Sequence, residues 1–357
     1  MSEAPVMIMA AGTGGHVFPG LAVARELLDR GVPVVWLGTD TGLEARLVPA
    51  ASLPLETLQV RGLRRNGLKG WLLAPFTVLA AVRSAVSILR RHRPRAVLGL
   101  GGYVTGPGGL AAWLLRRPLV IHEQNARAGL SNRLLARIAR RRLSGFPLRF
   151  PGPGEAEAVG NPVRREFAGL PAPATRYGAR NGPLRVLVVG GSLGAQVLNE
   201  LVPRALSQLP PEARPLVRHQ SGERTAELAH RAYAEADVSV HLETFIDDMA
   251  AAYSWADLVI CRAGALTVSE LSAAGVAAWL VPLPHAVDDH QTANARVLAD
   301  AHAAVLMPQS ELTAESLASA LRAADRDQLR TMAERARAQS RPRATEQVAD
   351  VCLEVSA

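Results

Sequence analysis

The sequence predicts an α/β chain built as two parallel-sheet halves. Three observations carry that expectation. Short apolar runs bounded by turn residues recur along the chain, as buried strands do. Two of these runs, at 6–11 and 184–189, open the same plan of strand, glycine-rich loop and helix. The 357 residues exceed one typical domain and suit two, and 30 glycines and 24 prolines fit many short βα turns.

The first run, VMIMAA, leads into Gly12-Thr13-Gly14-Gly15-His16 and then Val17-Phe18-Pro19. A helix is expected over 20–28, with Pro19 in its first turn, Gly31 as its stop and a strand at 34–37. The glycines let backbone amides approach a bound group closely. The loop is not GxGxxG; Asp40 would be the acid that follows the second strand in a dinucleotide fold. His16 closes the loop at the strand's carboxyl end. A neutral imidazole there can take up a proton near neutral pH; the alternative is a histidine that only caps or packs the turn.

Residues 68–89 have the apolar spacing of a helix, with Trp71, Leu72, Leu73, Phe76, Leu79 and Val82. Arg61, Arg64, Arg65 and Lys69 lie at or before its start, and Arg90, Arg91 and Arg93 follow it. An apolar patch rimmed by cations fits an anionic membrane surface; a core helix with solvated ends fits equally. A strand at 96–101 enters a second glycine-rich turn, 101–109. Another at 119–121 runs into His122-Glu123-Gln124-Asn125. These polar groups line a pocket at the sheet edge or serve as loop hydrogen-bonders. A helix is expected over 129–140. Residues 147–183, rich in Pro and Gly, read as the linker, with residues 159–164 as the crossing point. That divides the chain into 1–162 and 163–341. Arg164 has the planar fork that reaches a phosphate or carboxylate.

In the second half, Gly190-Gly191-Ser192-Leu193-Gly194 follows the strand, and Ser192 sits where its hydroxyl and amide would face an anion. A helix over 196–209 and strands at 216–219, 238–242, 258–261, 277–281 and 303–307 follow. Asp247 is the expected N-cap of a helix, and Phe245 with Ile246 could wall a planar ring or pack inside the domain. The strand at 258–261 exits through Arg262-Ala263-Gly264 into a helix over 265–274, which Gly275 stops. A helix beginning beyond the carboxyl end of a parallel strand stands at the edge where open α/β sheets hold ligands. The free amides of Ala265, Leu266 and Thr267 suit a phosphate. Val268 and Ser269 follow. Glu270 either accepts from a sugar hydroxyl or only complements the helix dipole. A further helix over 288–298 carries His290, Gln291 and Asn294 near its start. The end of the chain reads as helical and polar, broken by Pro342.

The net charge of +8 suits an anionic partner, a nucleotide phosphate or acidic lipid. Nucleic acid is the weaker choice, because no RRM signature, zinc-finger spacing or aromatic–basic interleaving is present. Cys261 and Cys352 show no CxxC spacing, which points to a reducing, cytoplasmic compartment. The first residues carry no signal-peptide pattern, and no uncharged apolar run is long enough to span a bilayer. Asp247-Asp248 and Asp288-Asp289 open helices rather than forming a DxD-like metal loop, so neither metal nor cofactor is expected.

Taken together, GTGGHVFPGLAVA, LGLGGYVTGPGG, HEQNARAGLSNR, VGNPVR, VVGGSLGA, TFIDDMAAAYSWADLVICRAGALTVSEL and HQTANA resemble glycosyltransferase family 28, in the branch that completes lipid II in bacterial cell-wall synthesis. The motifs keep the family's order over nearly the whole chain and are specific as a set. The resemblance implies a GT-B fold, two Rossmann-like domains facing across a cleft. The first would serve the acceptor and membrane side, with residues 342–357 packing back on it; the second would bind the donor. It implies transfer of N-acetylglucosamine from UDP-N-acetylglucosamine (UDP-GlcNAc) to the 4-hydroxyl of undecaprenyl-linked lipid I, with inversion. The site would lie at the cytoplasmic face of the inner membrane, beside anionic lipids and among cell-wall and division proteins.

Motif by motif, donor contacts carry over to Thr13, Gly14, Gly15, Asn125, Arg164, Ser192, Ile246, Ala265, Leu266, Thr267, Val268, Ser269, Glu270 and Gln291. Glu270 would hold the ribose hydroxyls, Ile246 would border the uracil, and Ser192 with the Ala265 helix start would hold the diphosphate. His16 would be the base that deprotonates the acceptor. The chain departs from the family pattern at Ala263, where Ser is usual, at Leu193, where Gln is usual, and in the loop 284–290, which is one residue longer than usual. Two other readings use similar domains: a UDP-GlcNAc 2-epimerase, which would need more acid–base residues and no membrane patch, and a non-catalytic nucleotide-sugar sensor.

Overall fold

The computed structural model describes residues 4–59, 67–152, 154–191, 194–284 and 289–356, with backbone alone over 67–74. The chain forms two compact units, Met1–Arg164 with Arg341–Ala357, and Arg165–Ser340.

Unit 1 alternates strands and helices. In chain order these are β1 (Val6–Ala10), α1 (Gly14–Asp29), β2 (Val34–Gly38), α2 (Glu44–Ala50), β3 (Leu55–Thr57), α3 (Gly67–His92) and β4 (Ala96–Gly101). Then come α4 (Thr105–Leu114), β5 (Leu119–Glu123), α5 (Leu130–Leu135), β6 (Arg141–Ser144), β7 (Arg149–Phe150), β8 (Gly154–Glu155) and β9 (Glu157–Ala158). The main sheet runs β3-β2-β1-β4-β5-β6-β9, with each neighbouring pair parallel. β1 is apolar throughout because helices cover both faces. Val6, Ile8 and Ala10 enter one core, while Met7 and Met9 enter the other.

Unit 2 begins with α6 (Arg165–Ala168) and α7 (Pro173–Gly178), then β10 (Arg185–Val189), α8 (Gln196–Ser207), β11 (Leu216–Gln220), α9 (Ala226–Glu235) and β12 (His241–Glu243). It continues with α10 (Met249–Trp255), β13 (Leu258–Cys261), α11 (Ala265–Ala274), β14 (Ala277–Leu280), α12 (His290–Ala299), β15 (Val305–Leu306), α13 (Ala314–Ala323) and α14 (Arg326–Ala338). Its parallel sheet runs β12-β11-β10-β13-β14-β15. Each unit thus repeats the doubly wound order in which the first strand lies at the centre and the chain reverses direction beside it. The last helix, α15 (Ala344–Glu354), belongs to unit 1 and packs on α1, where Arg30 pairs with Asp350.

Several elements differ from their sequence expectation. α1 starts at Gly14 rather than at residue 20, so Thr13 is its N-cap and Pro19 lies inside it. Two glycines at a helix start cost backbone entropy, but here they let the turn tighten directly out of β1. The expected helix over 129–140 is the single short α5. The expected linker at 147–183 instead holds β7, β8, β9, α6 and α7. Asp248, not Asp247, caps α10, its carboxylate accepting from Ala251 N–H at 2.8 Å. The stripe over 68–89 serves two purposes along one helix. Ala81, Val82, Ala85, Ile88 and Leu89 of α3 are buried, while Phe76 is 72% and Leu79 52% exposed. Arg61, Arg64 and Arg65, and the side chains of Lys69, Trp71, Leu72 and Leu73, lie outside the described residues.

Candidate active site

In unit 1, β1 and β4 are adjacent strands inside the sheet, at the point where the strand order reverses direction. Gly12 turns with φ +93°, Gly101 with +120° and Gly102 with +84°, all in the region that favours glycine. A β-carbon on Gly102 would lie 2.4 Å from the Ala11 carbonyl oxygen, so the two turns touch backbone to backbone. His16, in the first turn of α1, lies half-buried against them. Its Nδ1 is 3.2 Å from the Ala11 carbonyl and 3.4 Å from the Thr13 hydroxyl. A carbonyl has no proton to give, so the first contact requires Nδ1–H. That leaves Nε2 with its lone pair. Burial pushes the imidazole below its ordinary pKa of 6.5, while Glu123, the Ala11 carbonyl and Glu44 pull it back up. The ring is therefore neutral at neutral pH, as a general base must be.

Two buried carboxylates support this corner, and sequence reading did not single out Glu44. Glu44 accepts from Gly12 N–H at 2.9 Å, Thr39 N–H at 3.0 Å and the Thr39 hydroxyl at 2.6 Å. Its one sequence signal is a charged residue opening a helix just past β2's carboxyl end. Glu123 ends β5 and accepts from the Asn125 amide and side chain, Gly129 N–H and Asn132 Nδ2, all at 2.9–3.0 Å. His122, Glu123 and Gln124 are buried, so these three brace the sheet edge instead of lining a pocket. His122 Nε2 donates to the Gly160 carbonyl at 2.9 Å. Asn125 is half-buried and tied to Glu123. Thr13 is exposed, and Gly14 and Gly15 begin α1. Arg164 lies 5.9 Å from the centroid of the Phe18 ring.

In unit 2 the corresponding edge collects Gly190-Gly191 after β10, Thr244–Ile246 after β12 and Arg262–Gly264 after β13. Buried Gln220, at the end of β11, joins two of these segments. Its Oε1 accepts from Gly191 N–H at 2.9 Å, and its Nε2 donates to the Gly191 carbonyl at 3.1 Å and the Thr244 carbonyl at 3.0 Å. Nothing in the sequence marked it, because its partners are backbone groups. Ser192 and Leu193 lie outside the described residues. Phe245 is 55% exposed whereas Ile246 is buried, so of the expected ring wall only Phe245 presents an open face.

α11 begins at Ala265 with Gly264 as N-cap, and no side chain caps it among the described residues. The amides of Ala265, Leu266 and Thr267 fall where a helix offers no internal acceptor. The side chains of Ala265, Leu266 and Val268 are buried, so at these positions a ligand would meet backbone. Ser269 turns back to the Ala265 carbonyl at 3.0 Å, and Glu270 is half-buried. Asn294 of α12 donates to the Ala263 carbonyl at 3.2 Å, holding the loop before α11. Gln291 accepts from Leu283 N–H at 2.9 Å. Residues 285–288 of the preceding loop lie outside the described residues. Among the described residues, no three His, Cys, Asp or Glu side chains gather as a metal centre.

Two doubly wound parallel-sheet units, each with a glycine-rich turn at its carboxyl edge, define the GT-B class of fold. Residues 6–144 match the N-terminal domain of glycosyltransferase family 28 and residues 185–351 match its C-terminal domain. The chain belongs to glycosyltransferase family 28. It is 63% identical over 352 residues, 98% of each chain, to the UDP-N-acetylglucosamine–N-acetylmuramyl-(pentapeptide) pyrophosphoryl-undecaprenol N-acetylglucosamine transferase of Alkalilimnicola ehrlichii. It is 54% identical to the enzyme of that name from Marinobacter nauticus, covering 100% of this chain and 99% of the relative. Among solved structures, MurG of Acinetobacter baumannii superimposes with a TM-score of 0.85 at 45% identity, covering 98% of this chain and 99% of that one.

Proposed function

We propose that the chain transfers N-acetylglucosamine from UDP-GlcNAc to the 4-hydroxyl of lipid I, inverting the anomeric centre and giving lipid II for peptidoglycan. The observation that carries the reading is the neutral, half-buried imidazole of His16, its Nδ1 turned to a carbonyl at the carboxyl edge of unit 1. It occurs in a chain that matches, end to end, enzymes named for that transfer.

In this reading unit 1 serves the acceptor and unit 2 the donor. His16 Nε2 takes the proton of the acceptor hydroxyl as its oxygen bonds the anomeric carbon. The bond from that carbon to the diphosphate breaks, and UDP leaves with the electron pair. Negative charge grows on the departing diphosphate, where the amides of Ala265, Leu266 and Thr267 and the Ser192 turn oppose it. Glu270 accepts from the ribose hydroxyls, and exposed Phe245 with the backbone of Ile246 borders the base. Thr13, Gly14, Gly15, Asn125, Arg164, Val268, Ser269 and Gln291 complete the proposed donor contacts.

The acceptor is lipid-linked, and the reading includes docking of unit 1 at the cytoplasmic membrane face. No helix among the described residues is long and apolar enough to cross a membrane. Phe76 and Leu79 of α3, Trp113 and Leu114 of α4, and Leu130 and Leu134 of α5 are exposed apolar side chains on helices in contact. Arg83 and Arg90 lie beside Leu79 and Leu114 in a groove of about 390 Å³. Apolar side chains rimmed by arginines suit an anionic bilayer.

The test is UDP release from UDP-GlcNAc with and without a lipid I analogue. Release that requires the analogue, with N-acetylglucosamine appearing on it, is expected. UDP-ManNAc made without acceptor would mean an epimerase instead, and binding without release a sensor.

A further inference from the structure

Glu44 is fully buried, and its three hydrogen-bond donors are two backbone amides and a hydroxyl. Room for it is built in. A β-carbon on Gly42 would lie 2.2 Å from Glu44 Oε2. A buried carboxylate is costly, and one held this way at a helix start calls for a use. The use lies in which amide it holds. Gly12 N–H, 2.9 Å from Glu44 Oε2, belongs to the same peptide unit as the Ala11 carbonyl, 3.2 Å from His16 Nδ1.

We propose that Glu44 is a positioning residue that acts on His16 through the Ala11–Gly12 peptide, its carboxylate holding the N–H at one end so that the carbonyl at the other holds Nδ1–H. The proposal rests on the reading of His16 as the base. Successive hydrogen bonds polarise one another, by about 10–30% per bond, so the carboxylate makes the carbonyl a stronger acceptor. The ring is then fixed in the tautomer that leaves Nε2 unprotonated. When Nε2 takes the acceptor's proton, the imidazolium is stabilised along this chain, and Glu123 at the end of β5 and, more weakly, Glu44 itself also add their charges through space. No proton reaches Glu44, because the peptide transmits polarisation only. The arrangement does for His16 what a directly bonded carboxylate does for the histidine of a hydrolase triad.

The experiment is long-range proton–nitrogen correlation NMR on the full chain with labelled histidine, His16 being assigned by the signal lost in His16→Asn. In the wild type, Nδ1 should carry the proton and Nε2 should not. In Glu44→Gln the side-chain oxygen can still accept from Gly12 N–H, but the charge is gone. There the Nε2–H tautomer should appear and the titration midpoint should move to lower pH. The kcat should fall about tenfold, with KM for UDP-GlcNAc within about twofold. Thr39→Val removes one neutral donor and keeps the charge, and should leave the tautomer as it is. A wild-type ring protonated on Nε2 overturns the proposal outright, even if Glu44→Gln does not fold. So does a Glu44→Gln spectrum unchanged from wild type, or a tautomer lost equally in Thr39→Val. Spectra as expected, together with near-normal turnover in His16→Ala, would instead remove the base role and leave the coupling standing.

Discussion

His16 occupies the space that a side chain at Gly101 would need. A β-carbon there would lie 2.6 Å from His16 Cδ2 and 2.7 Å from Nε2. Gly101 also has φ +120°, which side-chain-bearing residues rarely adopt. Gly101→Ala should therefore lower stability by about 1–3 kcal/mol and also displace the imidazole. Gly31 is the control, since its φ is +77° but nothing lies within 4 Å of a β-carbon there. Gly31→Ala should destabilise while sparing turnover, whereas Gly101→Ala should lose turnover in the fraction that folds. Equal kcat losses in the two would separate the Gly101 contact from catalysis.

Removing the imidazole tests its role directly. His16→Ala should reduce turnover by about 10²–10⁴-fold, the usual worth of a general base, with the affinity for UDP-GlcNAc little changed. Titration calorimetry with the nucleotide sugar and steady-state UDP release measure the two quantities separately. A variant that turns over near the wild-type rate would leave His16 as a packing residue of the turn.

Gln220 tests the donor side. Gln220→Glu keeps an acceptor for Gly191 N–H but places a carboxylate oxygen against the Gly191 and Thr244 carbonyls. A mismatched buried polar group costs about 1–3 kcal/mol, so KM for UDP-GlcNAc should rise about tenfold or more while kcat changes little. An unaltered KM in a folded Gln220→Glu protein would detach this clamp from donor binding.

How much of this was legible in the sequence follows from where each residue's partners lie. The glycine turns and His16 could be read locally, because strand, turn and helix follow one another within a few residues. The α11 strand–turn–helix unit could be read for the same reason, down to the left-handed Gly275. Glu44 and Gln220 could not. Their partners Gly12 and Gly191 are backbone amides 32 and 29 residues away, and an amide leaves no trace in side-chain pattern. Residues 122–124 misled for the opposite reason. Polar side chains at a strand end look like a pocket lining, and only the fold shows that Gly160 and Asn132 come in to bury and pair them.

The exposed apolar face of unit 1 gives a prediction independent of the chemistry. Trp113 and Leu114 are 51% and 53% exposed, so charging them should not unfold α4. Trp113→Glu should weaken binding to phosphatidylglycerol vesicles by about tenfold or more, given the 1.5–3 kcal/mol typical of burying a large apolar side chain. Turnover on a water-soluble acceptor analogue should stay near wild type. Undiminished vesicle sedimentation would move the membrane contact elsewhere.

The two most deeply buried histidines make stability depend on pH with a definite sign. Burial lowers His122 to about 4 and His219 to about 3, from an ordinary 6.5. The unfolded chain therefore takes up protons first as pH falls, and protonation favours unfolding. The stability held by each neutral ring is complete above 6.5 and is lost between 6.5 and the folded value, at about 1.4 kcal/mol per pH unit. His122 lies in unit 1 and His219 in unit 2, so each unit carries its own slope. His219 Nδ1 pairs with the Tyr233 hydroxyl at 2.8 Å, so the two are best replaced together, as His219→Leu with Tyr233→Phe. Urea unfolding of this double variant should show a shallower loss for unit 2 between about pH 6.5 and pH 4 than the wild type, by about 1.4 kcal/mol per unit. Matching slopes in the two proteins would mean that His219 takes up its proton in the fold as readily as in the unfolded chain, against its complete burial between β11 and α9.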